Sequence, residues 1–352
     1  MKPALLSQLR RPLALVALVV FVGIFPVVIA PNDTYNTIAV FTLIGAIAVV
    51  GWNIFSGYTG YISLGHSVFY GFGAYTFGLA SLHWHIPGGW EPFLFLPLAG
   101  LVAGAFAFPL GWIALRTRRH TFIVISIAWV FIFQLLAYNM RGITGGSSGV
   151  LMPLTPWVAP YANLPFYYIA FAMLLVAVFV SWWIRHSKFG LGLLAIRDDE
   201  DRALGLGVKT ASFKLTAYVL SAFFVGMAGA IFSYYIGSVY PELGFNPAVD
   251  ITIAIMGFLG GLGTVAGPLV GALFVTPFQQ WLGLQFGGQG LDLAIYGALF
   301  LAILLLLPRG IVPSLQDWWR TWRTARQARL ADRARAARQE QPAVLAERRG
   351  DG

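Results

Sequence analysis

The stretch that decides the reading of this chain is a polar island between two long apolar runs, RHSKFGLGLLAIRDDEDRALGLGVKTASFK, from Arg185 to Lys214. It carries six lysines and arginines, four consecutive acids (Asp198, Asp199, Glu200 and Asp201) and apolar residues at helical spacing. A basic loop between membrane spans marks the cytoplasmic side. An ordered amphipathic segment in that position is a docking surface, so a cytoplasmic partner is expected to act on the chain through it.

Composition sets the class around that island. Of 352 residues, 58% are hydrophobic and only 11% are charged, where soluble domains carry about 25% charged residues. Apolar runs of about 20 residues recur, the length that crosses a hydrocarbon core of about 30 Å. Backbone groups in lipid must be satisfied internally, which leaves helices or closed barrels. Continuous rather than alternating runs choose helices, so the expected fold is an all-α polytopic membrane protein. The absence of cysteine excludes disulfides, thiolate metal sites and a cysteine nucleophile. The net charge of +9 resides in loops and tail and is not a nucleic-acid signal.

Lys2, Arg10 and Arg11 precede an apolar run from Leu13 to Ala30. The run reads as a signal peptide or as a first span; its length and the following Pro31 favour an uncleaved span anchored on the cytoplasmic side. Further runs fall near 37–56, 67–82, 93–115, 121–138, 164–184, 214–238, 249–283 and 291–308. The 249–283 run is too long for one helix and is interrupted by glycines and Pro268, so it counts as two pieces, full spans or a re-entrant pair. Basic clusters place the N-terminus, Arg116–Arg119, the 185–214 loop and the C-terminal tail inside. About ten membrane segments are expected, with both termini cytoplasmic. Residues 1–312 then form the membrane domain and 313–352 a basic tail, partly disordered. In that tail Trp318, Trp319 and Trp322 precede Arg320, Arg323, Arg326, Arg329 and Arg333 at helical spacing. Such a helix lies against anionic lipid, or the segment is a solvated tail.

Two segments depart from ordinary spans: GWNIFSGYTGYISLGHSVFYGFGAYTFG (Gly51 to Gly78) and GFLGGLGTVAGPLVGA (Gly257 to Ala272). Glycine costs about 1 kcal/mol in a helix interior relative to alanine, so several in one span need a reason. Close helix packing is one; a broken helix lining a pathway is the other. The glycines concerned are Gly57, Gly60 and Gly65 in the first segment and Gly260, Gly261, Gly263 and Gly267 in the second. The first also holds Asn53, Tyr58, Thr59, Ser63, His66 and Tyr70. If the part after Gly60 is helical, Ser63, His66 and Tyr70 share a face, and each either faces a pathway or bonds a neighbouring helix. Between spans, RGITGGSSGV (Arg141 to Val150), with Thr144 and Ser147, reads as a backbone nest for an anionic group or as a flexible external loop.

Several chemistries are missing. No G-x-x-x-x-G-K-[ST] occurs, and the histidines (His66, His83, His85, His120 and His186) include no H-E-x-x-H. No metal site and no catalytic residue are expected. Asp250 and Asp292 lie at the edges of spans, and this scarcity of intramembrane acids weighs against an ion-coupled transporter, leaving energy to come from another chain.

These residues resemble the permease subunits of bacterial ABC importers for branched-chain amino acids, the LivM-like half, from about Asn53 to Pro313. The resemblance rests on GYTGYISLGHSVFYGFGAY from Gly57, TGGSSG from Thr144, GLGLLAIRDDEDRALGLGV from Gly190 and LGGLGTVAGPLVGA from Leu259, in that order. It implies an ABC-importer permease fold, two cytoplasmic ATPase subunits that bind ATP, a second permease subunit in a heterodimer, and a periplasmic or lipid-anchored solute-binding protein. No cofactor of its own and no nucleic-acid partner are implied, and the expected location is the bacterial inner membrane. The polar residues of the interrupted segment and the loop, Asn53, Tyr58, Ser63, His66, Tyr70, Thr144 and Ser147, are the candidates to line the translocation pathway. The coupling role falls on Arg197, Asp198, Asp199, Glu200, Asp201, Ala203, Gly205 and Gly207, where Asp201-Arg202-Ala203-x-x-x-Gly207 is similar to the EAA-x-x-x-G docking pattern. The implied solute is a branched-chain amino acid, with urea, short amides or aromatic acids as alternatives. A self-sufficient channel or secondary transporter is the rival of another class. The chain departs from the family at Arg119 and Thr121, where glycine and tyrosine are usual, and at Tyr61 and Ser67-Val68.

Overall fold

The computed structural model describes residues 19–28, 33–158, 161–286, 310–315 and single positions between 295 and 322. The basic tail beyond 322 and most of the 291–308 run lie outside the described residues. Helix α1 (Val19–Val28) precedes α2 (Asp33–Trp52), which continues as a π-helical turn, Asn53–Gly57. Next come α3 (Ser67–His83), α4 (Leu96–Ala114), α5 (Arg119–Asn139), the short α6 (Arg141–Thr144) and α7 (Leu164–His186). The polar island forms α8 (Lys188–Asp198) and α9 (Glu200–Gly205), followed by α10 (Thr210–Ile236), α11 (Pro241–Gly244), α12 (Pro247–Gly260) and α13 (Ala266–Phe286). A two-residue antiparallel ladder, β1 (Val150–Leu151) with β2 (Ser238–Val239), pairs Val150 with Val239.

The centre is α10, which packs on α2, α3 and α4. Small residues permit this. A Cβ on Gly73 would stand 1.9 Å from the Gly226 carbonyl oxygen, and one on Gly229 would stand 2.1 Å from that of Tyr70. Backbones in such contact gain dispersion and interhelical polar contacts that lipid does not supply. The outer helices bury only a stripe. On α5 it is Phe122, Ser126, Val130 and Ala137, while Phe131 and Leu135 are exposed, as lipid-facing side chains are.

Six helices among the described residues are long and apolar enough to cross a membrane: Asp33–Gly57, Glu91–Ala114, Arg119–Asn139, Leu164–His186, Thr210–Ile236 and Pro241–Gly260. This is fewer than the ten segments expected. Two of the expected runs, 13–30 and 291–308, lie partly outside the described residues, and interruption shortens others, as with α3, which has 17 residues. Helix α12 alone has 14 residues, about 21 Å at 1.5 Å per residue, and reaches span length only together with α11. The 249–283 run does divide in two, and α12 and α13 pack as an antiparallel pair: Cβ atoms on Gly260 and Gly271 would lie 1.7 Å from Gly267 O and 1.8 Å from Met256 O.

Candidate functional site

Two regions concentrate the polar groups: the helix interruptions, and the surface of the island. At the first interruption the chain leaves its π-turn at Gly57, turns at Gly60 and returns as irregular backbone to the start of α3 at Ser67. Ser63 and His66 therefore precede the helix, and the single helical face expected for Ser63, His66 and Tyr70 does not form. Glycine leaves room for this return: a Cβ on Gly65 would lie 2.2 Å from Ser126 O.

The polar side chains here bind neighbouring elements. Asn53 Oδ1 accepts from Gly263 N at 2.9 Å and its Nδ2 donates to Thr264 O at 3.0 Å, joining the first interruption to the second. Tyr58 Oη lies 2.7 Å from Ser181 Oγ on α7. Thr59 Oγ1 donates to Phe55 O at 2.8 Å. Ser63 O accepts from Trp52 Nε1 at 2.9 Å, and His66 Nε2 lies 2.7 Å from Ser221 Oγ on α10. Asp250, read as the edge of a span, is buried within α12; its carboxylate accepts Ser67 N at 2.9 Å and also the Ser67 hydroxyl. It thus caps α3 from another helix, where the helix dipole favours a negative charge.

A cleft of about 420 Å³ opens elsewhere in the bundle, walled by α2 (Ile44, Ala48), α12 (Thr252, Met256) and α13 (Thr276, Gln279, Gln280). Its lining holds no charged residue. Of the expected pathway residues it takes only Tyr70. Thr276 Oγ1, buried on this wall, has no hydrogen-bond partner. Asn53, Tyr58, Ser63 and His66 lie outside it; Asn53, Tyr58 and His66 bond other elements, and the Ser63 hydroxyl accepts from Gly65 N at 3.4 Å, while Thr144 and Ser147 belong to another part of the chain.

The TGGSSG loop is ordered by its own bonds. Thr144 Oγ1 donates to Ala137 O at 2.5 Å, and Gly145, Gly146 and Gly149 adopt positive φ. The amides of Gly145, Gly146, Ser148 and Gly149 all bond within the loop. An open nest therefore does not form. Ser147 is exposed.

The island is two helices. Ser187 caps α8 by accepting from Gly190 N at 3.1 Å, and Asp199 caps α9 by accepting from Arg202 N at 3.0 Å. Gly205 is the last residue of α9, and Gly207 follows with φ +86°, a left-handed residue that stops the helix. Ala203 is buried beneath α9, while Asp198, Asp201, Leu204 and Leu206 are exposed, Leu206 to 84%. Glu200, unlike Asp198 and Asp201, is only partly exposed. Its Oε1 lies 2.5 Å from Lys214 Nζ, and Tyr61 donates to its Oε2. Burial by itself would raise the Glu200 carboxyl, but the bonds from Lys214 and Tyr61, with the Lys214 and Arg119 charges, hold it below the ordinary glutamate range. Burial and this carboxylate push the Tyr61 phenol up. Arg197 points away from the exposed side of α9, into the interruptions.

Lys214, Arg119 and Asp250 are the contributors that sequence reasoning missed. A lysine in an apolar run calls for a partner, and the nearest acids, 198–201, were the available signal. Arg119 was visible only as a departure from the family; here its Nη2 donates to Ile196 O and Arg197 O at 2.8 and 2.7 Å.

Among the described residues no group of three or more histidines and acids could hold a metal ion. The family model for the permease component of branched-chain amino acid transport systems matches residues 34–304. The high-affinity branched-chain amino acid transport system permease protein LivM of Escherichia coli (strain K12) is 28% identical over 333 residues, covering 87% of this chain and 76% of that protein. LivM of Salmonella typhimurium matches to the same extent. The autoinducer 2 import system permease protein LsrC of Yersinia pseudotuberculosis is 27% identical over 197 residues, covering 54% of this chain and 53% of its own. No solved structure gave a significant match. A match over most of its length places this multi-pass, non-catalytic chain in the family of branched-chain amino acid transport system permease components.

Proposed function

We propose that the chain imports branched-chain amino acids, or a similar small solute, as one permease subunit of an ATP-driven heterodimeric importer in the bacterial inner membrane. A second permease completes the pathway, two ATPases act at the cytoplasmic face, and a solute-binding protein delivers from the other side. Both termini lie in the cytoplasm, and the interrupted and shorter helices add membrane segments to the six long ones. Alternating access moves the solute without covalent chemistry.

The observation that carries this reading is the surface of α9. A six-residue helix capped at both ends is held from below by Ala203 and the Glu200–Lys214 pair, yet turns Leu204, Leu206 and Asp201 outward. A stiff, anchored element with exposed apolar side chains on a basic loop suits the groove of another protein. The uncharged cleft beside Tyr70 serves as this chain's half of the pathway, and its lining supports a solute without net charge. It suits an amino-acid zwitterion, and because three amide side chains line it (Asn246, Gln279 and Gln280), urea or a short amide is the second reading.

Gentle extraction of the tagged chain from its host, followed by mass spectrometry, tests the assembly. Two P-loop ATPases and a second polytopic subunit are expected to co-purify. Recovery of the chain alone, still carrying solute after reconstitution into liposomes, would establish a self-sufficient channel or secondary transporter instead.

A further inference from the structure

Three features that stand apart in the sequence, the two interrupted spans and the polar island, meet at one side chain. Arg197 occupies the last turn of α8. Its Nη1 donates to Gly57 O at 2.9 Å and to Leu262 O at 3.3 Å. The first carbonyl ends the π-turn below α2; the second lies in the turn between α12 and α13. Carbonyls at a helix break lack intrahelical donors, and the guanidinium supplies them.

Two glycines shape the slot that holds it. Gly60 and Gly263 adopt φ of +72° and +75°. A Cβ on Gly60 would lie 3.0 Å from Arg197 Cγ, and one on Gly263 only 1.9 Å from Arg197 Nη1. The backbone that carries the arginine is held in turn by Arg119, and Asn53 ties the same two interruptions together beside it.

We infer that Arg197 is a positioning residue of the transport cycle: it fastens the broken ends of both interrupted spans to α8 and α9, so that displacement of α9 reaches the interruptions. This rests on the proposed reading in which an ATPase acts on α9. The link runs from α9 through Arg197 to the start of α13, and α12 and α13 wall the cleft. Hydrogen bonds from a charged donor are the stronger ones, and two of them from one guanidinium make this junction move as a unit.

The test uses the full chain in its assembled complex. Because the chain has no cysteine, spin labels at K209C and A266C, both exposed positions outside α9, report the distance between the segment that follows α9 and the α12–α13 turn. With Arg197 in place, that distance is expected to stay the same in nucleotide-free and ATP-trapped complexes. In R197Q it is expected to change with nucleotide, and ATP hydrolysed per radiolabelled leucine imported is expected to rise about tenfold, with the ATPases still bound. If R197Q does not assemble, R197K is read in the same way, since its ammonium ends one bond short of Nη1. A nucleotide-independent distance and an unchanged ATP-to-leucine ratio in the variant overturn the inference. L206D separates this from the reading beneath it. ATPases that remain bound to L206D remove the coupling role of α9 itself; their loss from L206D, with wild-type behaviour in the Arg197 variant, removes the clamp alone.

Discussion

Lys214 Nζ lies 2.5 Å from Glu200 Oε1, and the lysine side chain is only 4% exposed while the glutamate belongs to the first turn of α9. One ion pair therefore anchors the helix expected to receive a partner to the central helix of the bundle. Lys214→Met strands the carboxylate, and the part of Glu200 that reaches solvent limits the loss to about 2 kcal/mol. Thermal unfolding in detergent measures it, and Tyr61→Phe should cost less, about 1 kcal/mol.

The same pair sets a pH dependence. The folded carboxyl of Glu200 titrates below its ordinary value, so its contribution is complete above the unfolded value and is lost as pH falls through the folded one. Wild type should exceed Glu200→Gln in unfolding temperature at neutral pH. The gap should close on acidification below the ordinary glutamate range, and a gap that persists there would contradict this origin.

Asp250→Ala removes the acceptor for the Ser67 amide and hydroxyl at the start of α3. A loss of about 2–3 kcal/mol is expected. Asp250→Asn keeps one acceptor oxygen and should lose about half of that. Urea or thermal unfolding of the purified protein ranks the two; equal stability of all three forms would remove the cap.

Gly73→Ala places a methyl group where Gly226 O stands, so α3 and α10 must separate at a cost of about 2–3 kcal/mol. Gly283→Ala on α13 meets nothing within 4 Å and should be neutral or gain up to about 1 kcal/mol. Folded yield by size-exclusion chromatography distinguishes close packing from a general intolerance of glycine replacement.

Gly45→Leu tests the cleft. A Cβ there meets Thr276 Oγ1 at 3.1 Å and Met256 Cε at 3.2 Å, so the rest of the leucine fills the space beside them. Leucine uptake in reconstituted complexes should fall about tenfold or more, with ATPase subunits still co-purifying. Unchanged uptake would place the pathway elsewhere.

Much was already written along the chain. Apolar runs define helices because lipid leaves backbone groups no other partner, and the division of the 249–283 run follows from its glycines and Pro268. The caps Ser187 and Asp199 and the stop at Gly207 are local, set by residues a few positions apart, and so was the amphipathic island. What the sequence left open was which polar groups would meet. Ser63 and His66 follow irregular backbone because Gly65, without a side chain, lets it pass against Ser126 of α5. Asn53 finds Thr264, Lys214 finds Glu200, and Arg197 reaches the carbonyls at Gly57 and Leu262, across separations that no periodicity encodes. A buried donor in an apolar bundle must be satisfied, but its sequence specifies only the need; the packing of distant helices selects the partner.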